Sequence, residues 1–263
     1  MSTSRPARLP RVPMPLLDSD ARRDSFDEVA LGYDLDAARA EAARCLHCKR
    51  PRCEEGCPVG VLIRDFIAAL SVGEVARGVA LLKLRNALPA VCGRVCPQET
   101  QCEASCVLAR KGDAIAIGRL ERFLADWDRQ LPANQRNATP LAQRKGRRAA
   151  IVGSGPASLT CAGELVLRGW DVDLFEGLHM AGGVLAYGIP EFRLPKSILA
   201  DEIDQLRRRC VEFHFNEIIG KTCSVEDLLQ EGYDTAFLGL GAGLPLFLGI
   251  PGETHNGVYS ANE

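Results

Sequence analysis

The feature that most constrains this chain is a concentration of cysteine. The chain has 11 cysteines among 263 residues, and most of them fall between residues 45 and 106. The clustered cysteines are Cys45, Cys48, Cys53, Cys57, Cys92, Cys96, Cys102 and Cys106. In a reducing compartment such a cluster indicates metal binding rather than disulfides. We therefore expect the first half of the chain to fold around its thiols.

The spacing of these cysteines is typical of iron–sulfur proteins. The first four read C-x2-C-x4-C-x3-C-P, close to the ferredoxin run C-x2-C-x2-C-x3-C-P, whose fourth cysteine serves a neighbouring cluster. A second C-x3-C-P begins at Cys92, and a C-x5-C-x3-C run ends at Cys106. This rough duplication fits two [4Fe-4S] clusters. Structural zinc, the less favoured alternative together with disulfides, usually presents paired C-x2-C knuckles, and only one such pair is present.

Composition and charge place the chain among ordinary globular proteins. Hydrophobic residues make up 46% and charged residues 25%, and 263 residues suit two modest domains of ~100–200 residues each. The net charge of -2 offers no attraction for nucleic acid or an anionic membrane. No apolar run approaches the ~20 residues of a membrane span, and the Arg- and Pro-rich start lacks a signal-peptide core. We therefore expect a cytoplasmic protein.

Hydrophobic periodicity predicts helices around the cysteines. Residues 1–25 show no period and are predicted to form an extended arm. Asp34 and Asp36 suit the N-terminus of the first helix, which leads to the first cysteine. The predicted helices cover residues 37–43, 62–70, 75–82 and 115–127. The polar and basic stretch 130–148 is predicted to be a linker.

Beyond this stretch the sequence has the pattern of a dinucleotide-binding βαβ unit. An apolar strand, a Gly-rich turn and a helix run from 149 to 167, and a second strand follows. Gly153 allows the tight turn, and Gly155 lets the backbone approach a pyrophosphate at the helix N-terminus. Ser158 stands where the third glycine is usual, and Glu176 ends the second strand, where it can accept hydrogen bonds from ribose hydroxyls. An ordinary strand-to-helix turn is the alternative.

Six longer motifs resemble one known family. They lie at residues 26–33, 44–49, 88–103, 116–123, 182–196 and 250–263. They resemble the small (beta) subunit of NADPH-dependent glutamate synthase. They are also similar to the large subunit of NADH-dependent ferredoxin:NADP oxidoreductase (the sulfide dehydrogenase alpha type) and to the N-terminal half of dihydropyrimidine dehydrogenase. The resemblance implies an α+β multidomain protein, with an α-helical iron–sulfur domain over 1–143 and a Rossmann-like α/β FAD-binding domain over 144–263.

The resemblance also implies which residues bind the two clusters. The ligands of one cluster would be Cys45, Cys48, Cys53 and Cys106. The ligands of the other would be Cys57, Cys96, Cys102 and Glu121. Cys92 would then be a bystander, although counting thiolates alone would recruit Cys92 in place of Glu121.

The FAD site is implied in the same way. The matching positions are Gly153, Ser154, Gly155, Pro156, Ala157, Glu176, Gly183, Val184, Arg193, Cys223, Gly241 and Ala242. The first five would contact the pyrophosphate, Cys223 would contribute a main-chain contact, and the last two belong to a second glycine turn against the flavin. No catalytic side chain is expected, because the cofactors carry the redox chemistry.

The chain departs from this family in one respect. Members of the family carry a second dinucleotide-binding domain for NAD(P)H, inserted into the flavin domain, and a C-terminal part that completes the FAD site. The 263 residues contain a single dinucleotide fingerprint and end within a family motif. We therefore expect a C-terminally truncated version of the family, whose NAD(P)H site lies outside this sequence.

The expected function is that of an iron–sulfur flavoprotein oxidoreductase subunit. Electrons would pass from NAD(P)H through FAD and two [4Fe-4S] clusters to a partner, a large catalytic or electron-accepting flavoprotein subunit. We expect no nucleic acid and no membrane as partner. The alternatives are a ferredoxin:NADP oxidoreductase-type subunit, a non-catalytic iron–sulfur interaction module without functional flavin, and a zinc-stabilised structural domain. The sequence leaves open the final acceptor and the choice between NADH and NADPH.

Overall fold

The computed structural model of the protein describes residues 10–136, 140–244 and 246–260. They form two compact units. The described residues up to Pro140 group with Pro190–Asp204, and Leu141–Ile189 group with the described residues from Gln205 onward. Across the described part of the chain, every helix is too short or too polar to cross a membrane.

The first unit consists of short helices and turns. The helices are α1 (Leu35–Ala42), α2 (Arg52–Glu55), α3 (Ile63–Ser71), α4 (Val75–Lys83), α5 (Pro89–Val95) and α6 (Ile117–Gln130). Single 3-10 turns lie at Ala21–Arg23, Gln98–Thr100 and Val107–Arg110. The four helices predicted from periodicity correspond to α1, α3, α4 and α6, and α5 was not predicted. Asp34 caps α1 as expected, because its carboxylate accepts a 2.8 Å hydrogen bond from the Ala37 N–H.

The core of the first unit lies between α1, α3, α4 and α6. Fully buried side chains from α3, α4 and α6 fill it: Phe66, Leu70, Leu82, Leu120 and Leu124. Cys102 belongs to this core, and Cys45, Cys53, Cys57 and Cys106 pack against it. The clustered thiols therefore lie at the margin of an apolar core, partly shielded from water.

The described part of the predicted N-terminal arm is irregular but anchored. Residues 10–25 contain one 3-10 turn, and Leu16 forms an isolated antiparallel bridge with Ala30. The Val12 N–H donates a 2.8 Å hydrogen bond to the buried Glu41 carboxylate of α1. This segment is thus fixed to the helical unit at several points.

The second unit contains a four-stranded parallel sheet. Its strands are β1 (Arg148–Val152), β2 (Asp171–Glu176), β3 (Val211–Phe215) and β4 (Thr235–Leu238), in the order β3-β2-β1-β4. The remaining helices are α7 (Pro156–Leu167), α8 (Val184–Tyr187), α9 (Lys196–Arg208) and α10 (Val225–Gln230). Because the strands are parallel, their carboxyl ends meet at one edge, where open α/β sheets bind ligands.

The architecture confirms the predicted fold class, a helical part followed by a Rossmann-like α/β part. The predicted strand, turn, helix and strand over 149–176 are present as β1, α7 and β2, with the register Arg148↔Asp171 to Val152↔Phe175. The stretch predicted as a linker contains the end of α6, and its residues 137–139 lie outside the described part. α9 begins in the first unit and ends in the second.

Candidate functional site

Four cysteines line one cleft of the first unit. Cys45 and Cys48 follow α1, Cys53 lies in α2, and Cys106 precedes the 3-10 turn Val107–Arg110. The apolar wall of the cleft includes Ile63, Ile67, Leu108, Ile115 and Ile117. These four cysteines are the set predicted for the first cluster, and the fold brings all of them to one place.

Burial and neighbouring thiols raise the pKa values of two cysteines in this cleft. Burial raises the pKa of the Cys45 thiol, with smaller contributions from Cys106 and Cys48, while a backbone hydrogen bond from His47 lowers it. Burial raises the pKa of Cys53 to about 12, and Cys106 and Cys45 add to this rise. Thiolates in such a cleft are poorly hydrated and repel one another. Iron bound to the thiolates would offset both effects, and its binding would release the thiol protons.

The second set of predicted ligands also converges within the first unit. Cys57 follows α2, Cys96 ends α5, Cys102 follows the next 3-10 turn, and Glu121 lies in α6. Burial raises the pKa of Cys96 to about 11, and the nearby charges of Glu121 and Cys57 contribute. Burial also raises the pKa of Cys102, followed by the charges of Glu103, Glu121, Cys57 and Cys96. The four side chains therefore lie near enough to influence one another's charge.

Glu121 and Cys92 both form a hydrogen bond with Asn86. Glu121 is a buried carboxyl whose pKa burial raises to about 8, and a hydrogen bond from Asn86 opposes this rise. The Asn86 Nδ2 donates to Glu121 Oε1 at 2.6 Å. The Cys92 thiol donates to Asn86 Oδ1 at a sulfur–oxygen distance of 3.6 Å. Glu121 and Cys92, the two candidates for the fourth ligand of the second cluster, thus both form a hydrogen bond with Asn86. Sequence reasoning missed Asn86, which belongs to no cysteine spacing.

The helices that carry this second set touch closely. A Cβ atom added at Gly93 of α5 would lie 2.6 Å from the backbone nitrogen of Arg122 and 2.7 Å from its Cα. Arg122 is the neighbour of Glu121, and Cys96 caps α5. The glycine therefore sets the distance between the backbone segments that present Cys96 and Glu121.

The arrangement of donors differs from that around a single ion. Among the residues described, no three Cys, His, Asp or Glu side chains converge in a way that could hold one metal ion. All eleven cysteines are unpaired thiols. A [4Fe-4S] cluster binds its ligands through four iron atoms, so these ligands stand farther apart than those of one zinc ion.

A second candidate site lies at the carboxyl edge of the sheet. Gly153 follows β1 with φ +91°, and a Cβ there would lie 2.4 Å from the Gly239 carbonyl oxygen, just after β4. Gly155 is the N-cap of α7, and nothing lies within 4 Å of the position of its absent Cβ. No described side chain caps α7, so its first turn can offer backbone N–H groups and positive potential to an anion. This open cradle fits a pyrophosphate.

Glu176 ties the ends of β1 and β2 together. One carboxylate oxygen accepts hydrogen bonds from the Ser154 N–H at 2.9 Å and from the Ser154 hydroxyl, and the other accepts from the Leu178 N–H at 2.9 Å. A carboxylate offers about four lone-pair sites, so these three bonds leave room for a ribose hydroxyl. Gly183, with φ +51°, lies against this turn, because a Cβ there would be 2.9 Å from the Gly155 Cα.

The remaining predicted FAD positions are more dispersed. Val184 is the exposed first residue of α8, and Gly241 and Ala242 follow β4. Cys223 precedes α10, and its carbonyl accepts a 2.6 Å hydrogen bond from the Gly220 N–H. Arg193 belongs to the first unit, where it lines a cleft that also contains Arg94, Arg119 and Arg122. Gly155, Ser154, Glu176 and Gly183 thus lie together at the carboxyl edge of the sheet.

Comparison with known proteins places these sites in context. Residues 22–132 match a family model described as dihydropyrimidine dehydrogenase domain II, 4Fe-4S cluster. The chain is 36% identical to the putative oxidoreductase AegA of Escherichia coli over 92% of its length. It is 34% identical to the small chain of Escherichia coli glutamate synthase [NADPH] over 96% of its length. It is 35% identical to the Escherichia coli NAD-dependent dihydropyrimidine dehydrogenase subunit PreT over 86%.

These matches confirm the resemblance drawn from the sequence, and they give the chain a 4Fe-4S domain. The chain covers 36% of AegA, 53% of the glutamate synthase small chain and 55% of PreT. It thus spans about half or less of the curated relatives' length. Among solved structures, FprA of Mycobacterium tuberculosis in complex with NADPH overlaps 44% of this chain and 27% of its own, with 28% identity and a TM-score of 0.41.

Proposed function

We propose that this chain, a homologue of glutamate synthase small chains over most of its length, is an electron-transfer subunit of a flavin-dependent iron–sulfur oxidoreductase. The observation that carries the proposal is the cleft lined by Cys45, Cys48, Cys53 and Cys106. These thiols come from separate parts of the chain and converge beside an apolar wall, an environment that favours a metal centre.

Two [4Fe-4S] clusters are part of the proposal. The first would be held by the four cysteines of the cleft, and the second by Cys57, Cys96, Cys102 and Glu121. The mutual influence of the second set on their pKa values, together with its burial, supports this assignment. The first unit would therefore be the cluster-bearing part of the chain. Because this unit partly buries the ligands, water has limited access to them. Access of water is one of the factors that set the reduction potential of a cluster.

The carboxyl edge of the sheet would hold FAD. Residues 153–157 and the first turn of α7 would bind the pyrophosphate, and Glu176 would accept a ribose hydroxyl with its remaining lone pair. Gly183, Val184, Cys223, Gly241 and Ala242 complete the proposed set within the second unit. When bound, FAD would supply the hydride and single-electron chemistry that links NAD(P)H to the clusters and, through them, to a partner subunit. The chain's own residues bind, orient and shield these groups, and none is needed as an acid, base or nucleophile.

The first experiment measures cofactor content. We expect anaerobically purified protein to contain about eight irons, eight sulfides and one FAD per chain, because two cubane clusters and one flavin fit the donor sets. Iron, sulfide, zinc and flavin should be measured on the same sample. Eight irons without FAD would indicate an iron–sulfur interaction module and contradict the flavin part. Zinc without iron would overturn the proposal altogether.

The second experiment tests the non-cysteine ligand. Glu121→Ala should lose about four of the eight irons, because it removes a ligand of the second cluster, whereas Cys92→Ala should keep all of them. Electron paramagnetic resonance (EPR) of the dithionite-reduced variants identifies the cluster that is lost. Loss of a cluster in Cys92→Ala alone would show that the ligand assignment is wrong.

A further inference from the structure

The carboxamide of Asn86 is fixed at both of its ends. The residue is 7% exposed and lies between α4 and α5. Its Oδ1 accepts a 2.9 Å hydrogen bond from the Leu88 N–H. A backbone N–H is always a donor, so the oxygen must face Leu88 and the amide nitrogen must face the other way. The orientation of the side chain is therefore set by the start of α5.

This orientation gives Asn86 two different neighbours. Its Nδ2 donates to Glu121 Oε1 at 2.6 Å, a short hydrogen bond between buried groups. Its Oδ1 accepts from the Cys92 thiol at 3.6 Å. A carboxylate has two oxygens, so the oxygen held by Asn86 leaves the second oxygen for iron. The thiol, in contrast, uses its single S–H in the bond to the amide oxygen.

We propose that Asn86 is the positioning residue that selects Glu121 over Cys92 as the fourth ligand of the second cluster. The inference rests on the proposed function, since it requires that cluster. Asn86 anchors the carboxylate through its amide donor, and its amide oxygen keeps the Cys92 sulfur as a hydrogen-bond partner. Hydrogen bonds from neighbouring residues to metal ligands orient those ligands and tune the metal they hold.

The first test variant removes the amide donor of Asn86 and keeps the acceptor oxygen. Asn86→Asp keeps the oxygen that accepts from Leu88 and Cys92, but it directs a second oxygen at the Glu121 carboxylate. The replacement lacks the amide donor that holds Glu121, so Glu121 should leave the cluster and Cys92 should take its place. We expect about eight irons, an altered EPR signal of the second cluster and a shifted midpoint potential, with the first cluster unchanged.

A double variant identifies the replacement ligand. Cys92→Ser alone should keep eight irons and the normal EPR signal, whereas Asn86→Asp combined with Cys92→Ser should lose about four irons. Asn256→Asp is the control for an Asn-to-Asp change, since Asn256 is exposed. Asn86→Leu removes the amide donor without adding charge. In this variant, too, the second cluster should be retained only when Cys92 is present. Circular dichroism confirms that each variant is folded.

The outcomes separate this inference from the function on which it rests. An unchanged signal in Asn86→Asp, or a double variant that keeps eight irons, would overturn the selection by Asn86. So would complete loss of the second cluster in Asn86→Asp with Cys92 intact, because Cys92 would then be no substitute. If the unaltered protein contains only one cluster, the proposed function fails and not merely the role of Asn86.

Discussion

Gly153 and Gly155 are two residues apart, yet each is a glycine for a different physical reason. Gly153 has a positive φ, and its hydrogen faces the Gly239 carbonyl, so the fold itself excludes a side chain there. Gly155 has an ordinary φ of -68° and faces open space. Among the described residues nothing lies within 4 Å of the absent Cβ, so this space is free for the pyrophosphate of the proposed site.

This difference predicts two distinct phenotypes. Gly155→Ala should change the free energy of unfolding by less than ~0.5 kcal/mol but lower FAD content, because the methyl group would occupy the pyrophosphate cradle. Gly153→Ala should lose about 2–4 kcal/mol through overpacking and backbone strain. Thermal melts and flavin quantification measure both effects. Full FAD occupancy in a stable Gly155→Ala variant would contradict the proposed nucleotide site.

At the scale of elements, the contact between α5 and α6 shapes the second candidate cluster site. Both helices carry proposed ligands, and Gly93 allows their backbones to approach. Two ion pairs also link this region, since the buried Arg94 guanidinium contacts Glu28 and Asp126, each at 2.8 Å. The helix pair is therefore held by both packing and charge.

Replacing Gly93 should disturb one cluster and spare the other. In Gly93→Ala the added methyl group would overlap the Arg122 backbone, so α5 must move, at a cost of about 1–3 kcal/mol. We expect loss of about four of eight irons, with the EPR signal of the first cluster retained. Gly243→Ala, where nothing lies within 4 Å, is the matched control. Equal loss of both clusters would contradict this view of the helix pair.

Elements with a long periodic pattern were predictable, whereas contacts between distant residues were not. The helices α3, α4 and α6 and the β1–α7–β2 unit have strong local signals, so sequence reasoning found them. The helix α5 has seven residues and lies inside a cysteine motif, which gives it too short a period to detect. Asn86 and Glu121 are 35 residues apart, and only the fold reveals that they touch.

At the scale of the whole molecule, a buried carboxyl connects distant parts of the chain. Glu202 of α9 accepts a 2.9 Å hydrogen bond from the Ala90 N–H of α5, which joins residues 190–204 to the helical unit. Burial raises the pKa of Glu202 from 4.5 to about 7, while the Ala90 hydrogen bond and the Lys83 charge oppose this rise. The folded state therefore binds this proton more tightly than the unfolded chain does.

Because the folded state binds the Glu202 proton more tightly, the free energy of unfolding depends on pH. The contribution of Glu202 is fully present below pH 4.5 and is lost as pH rises through about 7, a change of about 3 kcal/mol in the free energy of unfolding. Glu202→Gln keeps an acceptor for Ala90 and cannot ionise. Its melting temperature should exceed that of the unaltered protein at pH 8, and the difference should shrink toward pH 5. Calorimetry across this range measures it, with the exposed Glu212→Gln as control.

The cleft that joins Cys106 to Cys45, Cys48 and Cys53 also constrains the order of events during synthesis. Cys45, Cys48 and Cys53 are synthesised first. The cleft is incomplete until the chain has been made through Cys106. A nascent chain therefore lacks the fourth thiol of the proposed set while α3, α4 and α5 are still being translated. Under the proposed assignment, the first cluster can obtain its full ligand set only after Cys106 has been made.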